Sequence, residues 1–156
     1  MTLPVGLDLT DRRVLAFATH GLVAGDLPGL DQPALALASG AGRQISEGLL
    51  TLEDVLKLHL DADLVVLSAC NTAATDGSAA EAISGLGRGF FHAGARSVLA
   101  THWAVETVSA RLLVTRLFER YTRDVGVSRA RALRLAMVDV MDAEAAGVYA
   151  HPAFWA

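Results

Sequence analysis

Three short apolar runs constrain the fold of this 156-residue chain more than any other feature. They cover residues 13–19, 63–70 and 96–101. Each run is nearly continuous in apolar residues, which is typical of strands buried in a parallel sheet. Segments with helical periodicity separate the runs, and strands alternating with helices predict an α/β fold with a mostly parallel sheet.

Residue spacing also predicts where the helices begin and which faces they bury. Thr51 with Asp54 resembles a capping box, so a short helix is expected from about Leu52. A second helix is expected from Glu81 to His92, and two more run from about Thr107 to Asp124 and after Ser128. The second helix is expected to bury one apolar face, formed by Ile83, Leu86, Phe90 and Phe91. Gly85 and Gly89 predict that a neighbouring element approaches this helix closely. Gly94 is its expected C-cap, and Ala34–Ala38 is a candidate small strand.

Polar residues end all three apolar runs. His20 follows the first, Cys70 ends the second, and Thr101 with His102 ends the third. Sites in parallel α/β sheets form beyond the carboxyl ends of the strands. These side chains are therefore expected to converge on one edge of the sheet.

An imidazole and a thiol at one edge suggest nucleophilic catalysis. His20 could accept the Cys70 proton or stabilise the thiolate, and the backbone N–H groups of Gly21 and Cys70 are candidates for an oxyanion hole. The 50-residue separation (70 minus 20) agrees with caspases, although spacing alone does not transfer between families. A free cysteine used for packing and a structural histidine are the alternatives.

Composition bounds the remaining classes of function. The length suits one domain over residues 1–156, and 13 basic against 17 acidic side chains give no basic run for nucleic acid. A single cysteine excludes an internal disulfide and favours a reducing compartment. No stretch resembles a membrane span or signal peptide, so a cytoplasmic protein with no membrane partner is expected.

No metal or cofactor is predicted. The single thiol already has a predicted role. The five histidines are not spaced like metal ligands: His20, His59, His92, His102 and His151. The loops also lack a phosphate-binding pattern of the form GxGxxG, which ranks a small-molecule-binding domain last among the functional alternatives.

Three segments carry a resemblance to a known family. They are Phe17–Gly21 (FATHG), Leu67–Ala73 (LSACNTA) and Ala93–Val98 (AGARSV), followed shortly by Trp103. In this order, and at these strand and helix boundaries, they resemble the CHAT domain, a caspase-like cysteine peptidase related to caspases and separases. The resemblance covers nearly the whole chain.

The resemblance implies a fold and a set of residue roles. The expected fold is a three-layer α/β/α sandwich that lacks a strand and helix before the His20 strand and a further strand after His151–Trp155, as in a shortened member or fragment. His20 is the expected base and Cys70 the nucleophile, with Gly21 and Cys70 as oxyanion donors. Relatives tend to have Trp-Pro-Val-Asp where this chain has Trp103–Glu106 (WAVE), so an altered substrate pocket is expected.

The remaining expectations concern the substrate pocket and the partners of the chain. By analogy with separases, Glu106 could pair with a basic substrate side chain, and His102 could line the pocket. The competing interpretation of Glu106 is a carboxylate at the N-terminus of a helix. Expected partners are a protein or peptide substrate, a helical-repeat regulatory domain or partner, and a second copy paired at the incomplete sheet edge as a homodimer.

Two functions of different classes follow. The first is a cysteine endopeptidase that cleaves a protein substrate through a His20–Cys70 dyad and a thioester. The alternative is a catalytically inactive CHAT-like interaction module that keeps the fold.

Overall fold

The chain forms a mixed α/β structure. The computed structural model describes residues 9–37, 48–68, 78–101, 105–123, 126–142 and 149–155. The strands are β1 (Val14–Phe17), β2 (Gly21–Leu22), β3 (Ala34–Ala36), β4 (Leu49–Thr51), β5 (Leu64–Leu67) and β6 (Val98–Ala100). The helices are α1 (Leu52–Leu56), α2 (Ser78–His92), α3 (Thr107–Arg123) and α4 (Arg129–Asp142). Two compact units divide the chain, Met1–Ala104 and Val105–Ala156, and a single domain over 1–156 stays a prediction.

A parallel sheet in the first unit joins the three predicted apolar runs. Its strand order is β1-β5-β6, so β5 lies in the middle. Phe17 lies opposite Leu67, and Leu67 lies opposite Ala100. All four residues of β5 are buried, as their unbroken apolar sequence predicts. The sheet confirms the predicted α/β class and the parallel pairing of the runs.

A second, antiparallel sheet in the same unit has the order β2-β3-β4. Of these strands only β3 was expected from the sequence, as the candidate small strand Ala34–Ala38. Strands of two or three residues are too short to show an alternating pattern, and alanine is a weak strand former. Ala34 and Leu35 are nevertheless completely buried.

Charged side chains tie together the amino ends of the parallel strands. Arg13 precedes β1, Asp63 precedes β5 and Arg96 lies two residues before β6. The buried Asp63 carboxylate accepts a hydrogen bond from Arg13 Nε at 2.5 Å and pairs with Arg96 Nη1 at 3.3 Å. Asp61 also pairs with Arg96, at 2.5 Å. This cluster links the three strands at the amino end of the sheet, opposite the edge at which the strands end.

The helices of the first unit pack as predicted in most respects. Thr51 and Asp54 form the capping box, with Asp54 N–H donating to Thr51 Oγ1 at 3.2 Å. A Cβ at Gly89 would come within 2.8 Å of Leu52 Cδ1, which confirms the close approach there. Among the described residues, nothing lies within 4 Å of a Cβ built at Gly85, so the close approach predicted there is wrong.

The apolar face of α2 is narrower than predicted. Ile83, Leu86 and Phe90 belong to the core, and the Phe90 ring lies 5.3 Å from that of Phe17. Phe91 is 52% exposed, so its assignment to this face is wrong. The reason is geometric, because consecutive residues on a helix point about 100° apart and only one of the two phenylalanines can face the core.

The second unit is built from α3 and α4, which pack against each other. Arg120 donates to both oxygens of Asp139, at 2.9 and 2.7 Å, and this guanidinium lowers the pKa of the Asp139 carboxyl below its usual value. Trp155 is buried and donates its Nε1–H to Tyr149 O at 2.9 Å. In the ranges that the structure describes, no helix is long and apolar enough to cross a membrane.

Candidate active site

The carboxyl edge of the parallel sheet is where the sequence predicts the site. Phe17 and Leu67 are the last paired residues of β1 and β5, and Ser68 N–H donates to Phe17 O at 3.0 Å one step further on. His20 follows Phe17 by three positions, and Cys70 follows Leu67 by three positions. The two candidate residues are therefore equally far along the chain from the same pair of facing residues.

The backbone around His20 is fixed by β3. Ala36 N–H donates to His20 O at 2.9 Å, and the Thr19 hydroxyl donates to Ala36 O. The His20 side chain is exposed. An imidazole on an anchored backbone with access to solvent can exchange a proton with a bound substrate.

Gly21 presents its N–H group away from the antiparallel sheet. It lies opposite Leu35 in the β2–β3 pairing. In an antiparallel ladder, facing pairs alternate between bonded and non-bonded, and the Ala36–His20 bond makes the neighbouring Gly21–Leu35 pair a non-bonded one. The Gly21 N–H is thus directed away from β3, as a donor for an external acceptor must be.

The structure does not describe two of the predicted site residues. Cys70, the predicted nucleophile, and His102, the predicted pocket residue, lie outside the described residues. The roles assigned to these residues, and those of His20 and Gly21, stay predictions. Among the side chains that the structure describes, no group of three or more His, Cys, Asp or Glu could hold a metal ion.

Glu106 lies in the second unit and caps α3. Its Oε2 accepts the Ser109 N–H at 2.8 Å, and backbone N–H groups of Val108 and Ser109 lower the pKa of the Glu106 carboxyl below its usual 4.5. The single O–H of Ser109 has two carbonyl oxygens within hydrogen-bond distance of its Oγ, Glu106 O at 2.9 Å and Phe154 O at 2.5 Å. This is the geometry of the competing interpretation, a carboxylate at a helix N-terminus.

A groove between α2 and β6 was not predicted. Its volume is about 330 Å³, and its lining includes Gly87, Arg88, Phe91 and Val98. The sequence feature that could have predicted the groove is the adjacent pair Phe90 and Phe91, because only one of the two can face the core. The groove was missed because both were assigned to the core.

Of the comparisons with known proteins, the match to a family model agrees with this architecture. A comparison with curated proteins finds no match. The family model of the CHAT domain matches residues 6–156, a range that holds the parallel sheet, its helices and all three resembling segments. The helices and parallel three-stranded sheet are also consistent with a caspase-like α/β fold. A family match of this extent means that the chain belongs to the CHAT domain family, which is peptidase-like.

Proposed function

We propose that this chain is a cysteine endopeptidase that cleaves protein substrates, with Cys70 as nucleophile and His20 as general base. The carrying observation is the β1–β5 register, in which Phe17 faces Leu67 and each candidate residue lies three positions further along. Membership of a peptidase-like family supports the same roles.

The chemistry has two stages. Cys70 Sγ, after losing its proton to His20, attacks the carbonyl carbon of the scissile peptide bond. The C–N bond then breaks, the protonated imidazole gives its proton to the leaving amine, and the acyl group remains as a thioester. Water, deprotonated by His20, attacks the thioester and releases the carboxylic acid with the free thiol.

Negative charge on the tetrahedral intermediates needs preoriented donors. The proposed donors are the N–H groups of Gly21 and Cys70. The direction of the Gly21 N–H, away from β3, supports its assignment because the β2–β3 ladder does not use it. The buried position of Gly21 favours a strong interaction, since hydrogen bonds to charge gain strength where water is excluded.

The substrate pocket and partners remain part of the proposal. His102 lines the pocket, and Glu106 would bind a basic substrate side chain only by giving up the Ser109 N–H. The proposal also includes a regulatory helical-repeat partner, a homodimer and a cytoplasmic location. No step in the scheme requires a cofactor.

Cleavage of a diverse peptide library, with new termini identified by mass spectrometry, tests the activity. We expect cleavage by the wild-type chain and none by Cys70→Ser or His20→Ala. The matched control is His59→Ala, which removes another exposed histidine of the first unit and should leave cleavage unchanged. Products that persist in the Cys70 variant would contradict Cys70 as the nucleophile. A wild-type chain that cleaves nothing would contradict the endopeptidase and favour the interaction module.

A further inference from the structure

Thr19 connects the two sheets of the first unit immediately before the proposed general base. At the carboxyl end of the parallel sheet, Ser68 N–H donates to Phe17 O at 3.0 Å. Two residues further along the chain, the Thr19 hydroxyl donates to Ala36 O in β3 of the antiparallel sheet. His20 comes next, and its carbonyl oxygen accepts the Ala36 N–H at 2.9 Å. The chain therefore passes from one sheet to the other at Thr19.

The Thr19 hydroxyl takes the place of a backbone donor. The β2–β3 register, continued by one residue, puts His20 opposite Ala36. In a regular bonded pair of an antiparallel ladder, the two facing residues exchange two N–H···O bonds. Here the backbone supplies one of them, from Ala36 N–H to His20 O, and the Ala36 carbonyl accepts the Thr19 hydroxyl. Both polar backbone groups of Ala36 thus hold the dipeptide that contains His20.

Ala36 is itself well anchored. Its strand, β3, is the middle strand of the antiparallel sheet, and Ala36 lies opposite Leu49 of β4. The two preceding residues, Ala34 and Leu35, are completely buried. A hydrogen bond to Ala36 therefore ties Thr19 to the interior of the first unit.

The burial pattern fixes the side on which the Thr19 side chain lies. Exposed and half-buried residues alternate from Val14 to His20, and Thr19 is half-buried together with Leu15 and Phe17. Leu15 and Phe17 pack against the core. A hydroxyl on this side needs a hydrogen-bond partner, and the branched Cβ of threonine restricts its χ1 angle. Ala36 O is that partner.

The His20 side chain depends on its backbone for its position. The side chain is exposed, so packing restrains it less than it restrains a core residue. Proton transfer needs the two heavy atoms within about 2.6–3.2 Å of each other. A small displacement of the backbone that carries the imidazole therefore takes it out of reach of a reaction partner.

We propose that Thr19 is a positioning residue, whose hydroxyl holds the His20 backbone where the imidazole serves Cys70. This inference rests on the proposed function, in which His20 is the general base. Thr19 exchanges no proton with the substrate and is not a catalytic residue. The competing interpretation is that the hydroxyl only satisfies the Ala36 carbonyl and stabilises the fold.

The pH dependence of Cys70 alkylation by iodoacetamide distinguishes the two interpretations. Thr19→Val keeps the shape of the side chain and removes the hydroxyl, whereas Thr19→Ser keeps the hydroxyl. We expect Thr19→Val to raise the pH at half-maximal rate by about one unit, which lowers the thiolate fraction about tenfold at a pH below both values. Thr19→Ser should leave this pH close to that of the wild-type chain.

Thr51→Val is the matched control. Thr51 lies in the same unit, and its hydroxyl accepts the Asp54 N–H at 3.2 Å in the capping box of α1. Loss of this cap should lower the stability of the fold and leave the alkylation profile unchanged. Urea denaturation of the two valine variants shows how much stability each has lost, so a shift in the profile can be separated from a general loss of stability.

The outcomes separate this inference from the proposed function. A half-maximal pH that His20→Ala raises and Thr19→Val leaves unchanged would overturn the positioning role and leave the dyad in place. Equal shifts in Thr19→Val and Thr19→Ser, or an equal shift in Thr51→Val, would also overturn it, because the effect would not belong to the Thr19 hydroxyl. A profile that His20→Ala does not change would overturn the dyad and the positioning role together.

Discussion

Gly94 shows how a single residue fixes the path of the chain between α2 and β6. Its φ is +111°, and a Cβ there would lie 2.2 Å from Leu60 O. Leu60 N–H also donates to Ala93 O at 2.8 Å, so the two segments are held at this distance. Glycine is required by both the backbone angle and the contact.

Gly94→Ala is expected to lower the free energy of unfolding by about 1–3 kcal/mol, because the backbone must leave its position or accept strain. The matched change is Gly85→Ala in the interior of α2, where no atom of the described residues lies within 4 Å of the added Cβ. It should instead raise the free energy of unfolding by up to about 1 kcal/mol. Urea denaturation of the two variants measures both effects. An equal effect of the two alanines would contradict the assigned close contact.

Asp63 is the buried member of the charged cluster at the amino ends of the strands. Replacement by Asn removes the charge while Arg13 and Arg96 remain. We expect Asp63→Asn to cost about 1–3 kcal/mol of stability, since charge-assisted bonds to a buried group are lost. Asp61→Asn, which removes an exposed partner of Arg96, should cost less than about 1 kcal/mol by the same denaturation assay. A larger loss for Asp61 than for Asp63 would be inconsistent with this ranking.

Single residues also mark where sequence reasoning stops. The positions of His20 and Gly21 at a strand end followed from the apolar run before them. The exposure of the Phe91 side chain was not foreseen, because a residue next to Phe90 also fits the helical spacing of a buried face.

At the scale of elements, α3 depends on the cap at its N-terminus. The ionised Glu106 carboxylate accepts backbone N–H groups, which lowers its pKa. A lowered pKa in the folded state means that the charged form stabilises the fold. This contribution is present above the unfolded pKa near 4.5 and is lost as the pH falls through the lower, folded pKa.

Glu106→Gln should therefore lower the melting temperature most near neutral pH, with a deficit that shrinks as the pH falls below about 4.5. Thermal unfolding followed from pH 3 to 7 by circular dichroism measures the difference. Asp142→Asn, at the exposed end of α4, is the charge-matched control. A deficit that grows toward acid pH would contradict the cap.

Elements differed in how far the sequence predicted them. In the described part of the chain, strands β1, β5 and β6 were expected within a few residues of their observed bounds, and α1–α4 were expected to begin within a few residues of their observed starts. The strands have nearly continuous apolar runs, α2–α4 have helical spacing over several turns, and the five-residue α1 has a capping box. Strands β2 and β4 were missed because their two or three residues are stabilised by pairing with β3, a contact that no local pattern encodes.

At the scale of the molecule, the order β1-β5-β6 determines what the chain can do. Because β1 and β5 are neighbours, residues 20 and 70 leave the same edge of the sheet at equal chain distance from a facing pair. The alternation of strands and helices predicted a parallel sheet, but not which strand lies in the middle. That position depends on how the apolar faces pack, and β5 is the most completely buried strand.

The most direct measurement of the central claim is the alkylation rate of Cys70 by iodoacetamide as a function of pH. If His20 activates the thiol, the wild-type alkylation rate should reach half its maximum well below pH 8.5, since about 8.5 is the usual pKa of a free thiol. In His20→Ala the pH at half-maximal rate should return to about 8.5. His59→Ala should leave the profile unchanged. A thiol with the same midpoint in the wild-type chain and in His20→Ala, or one that does not react at all, would contradict the dyad.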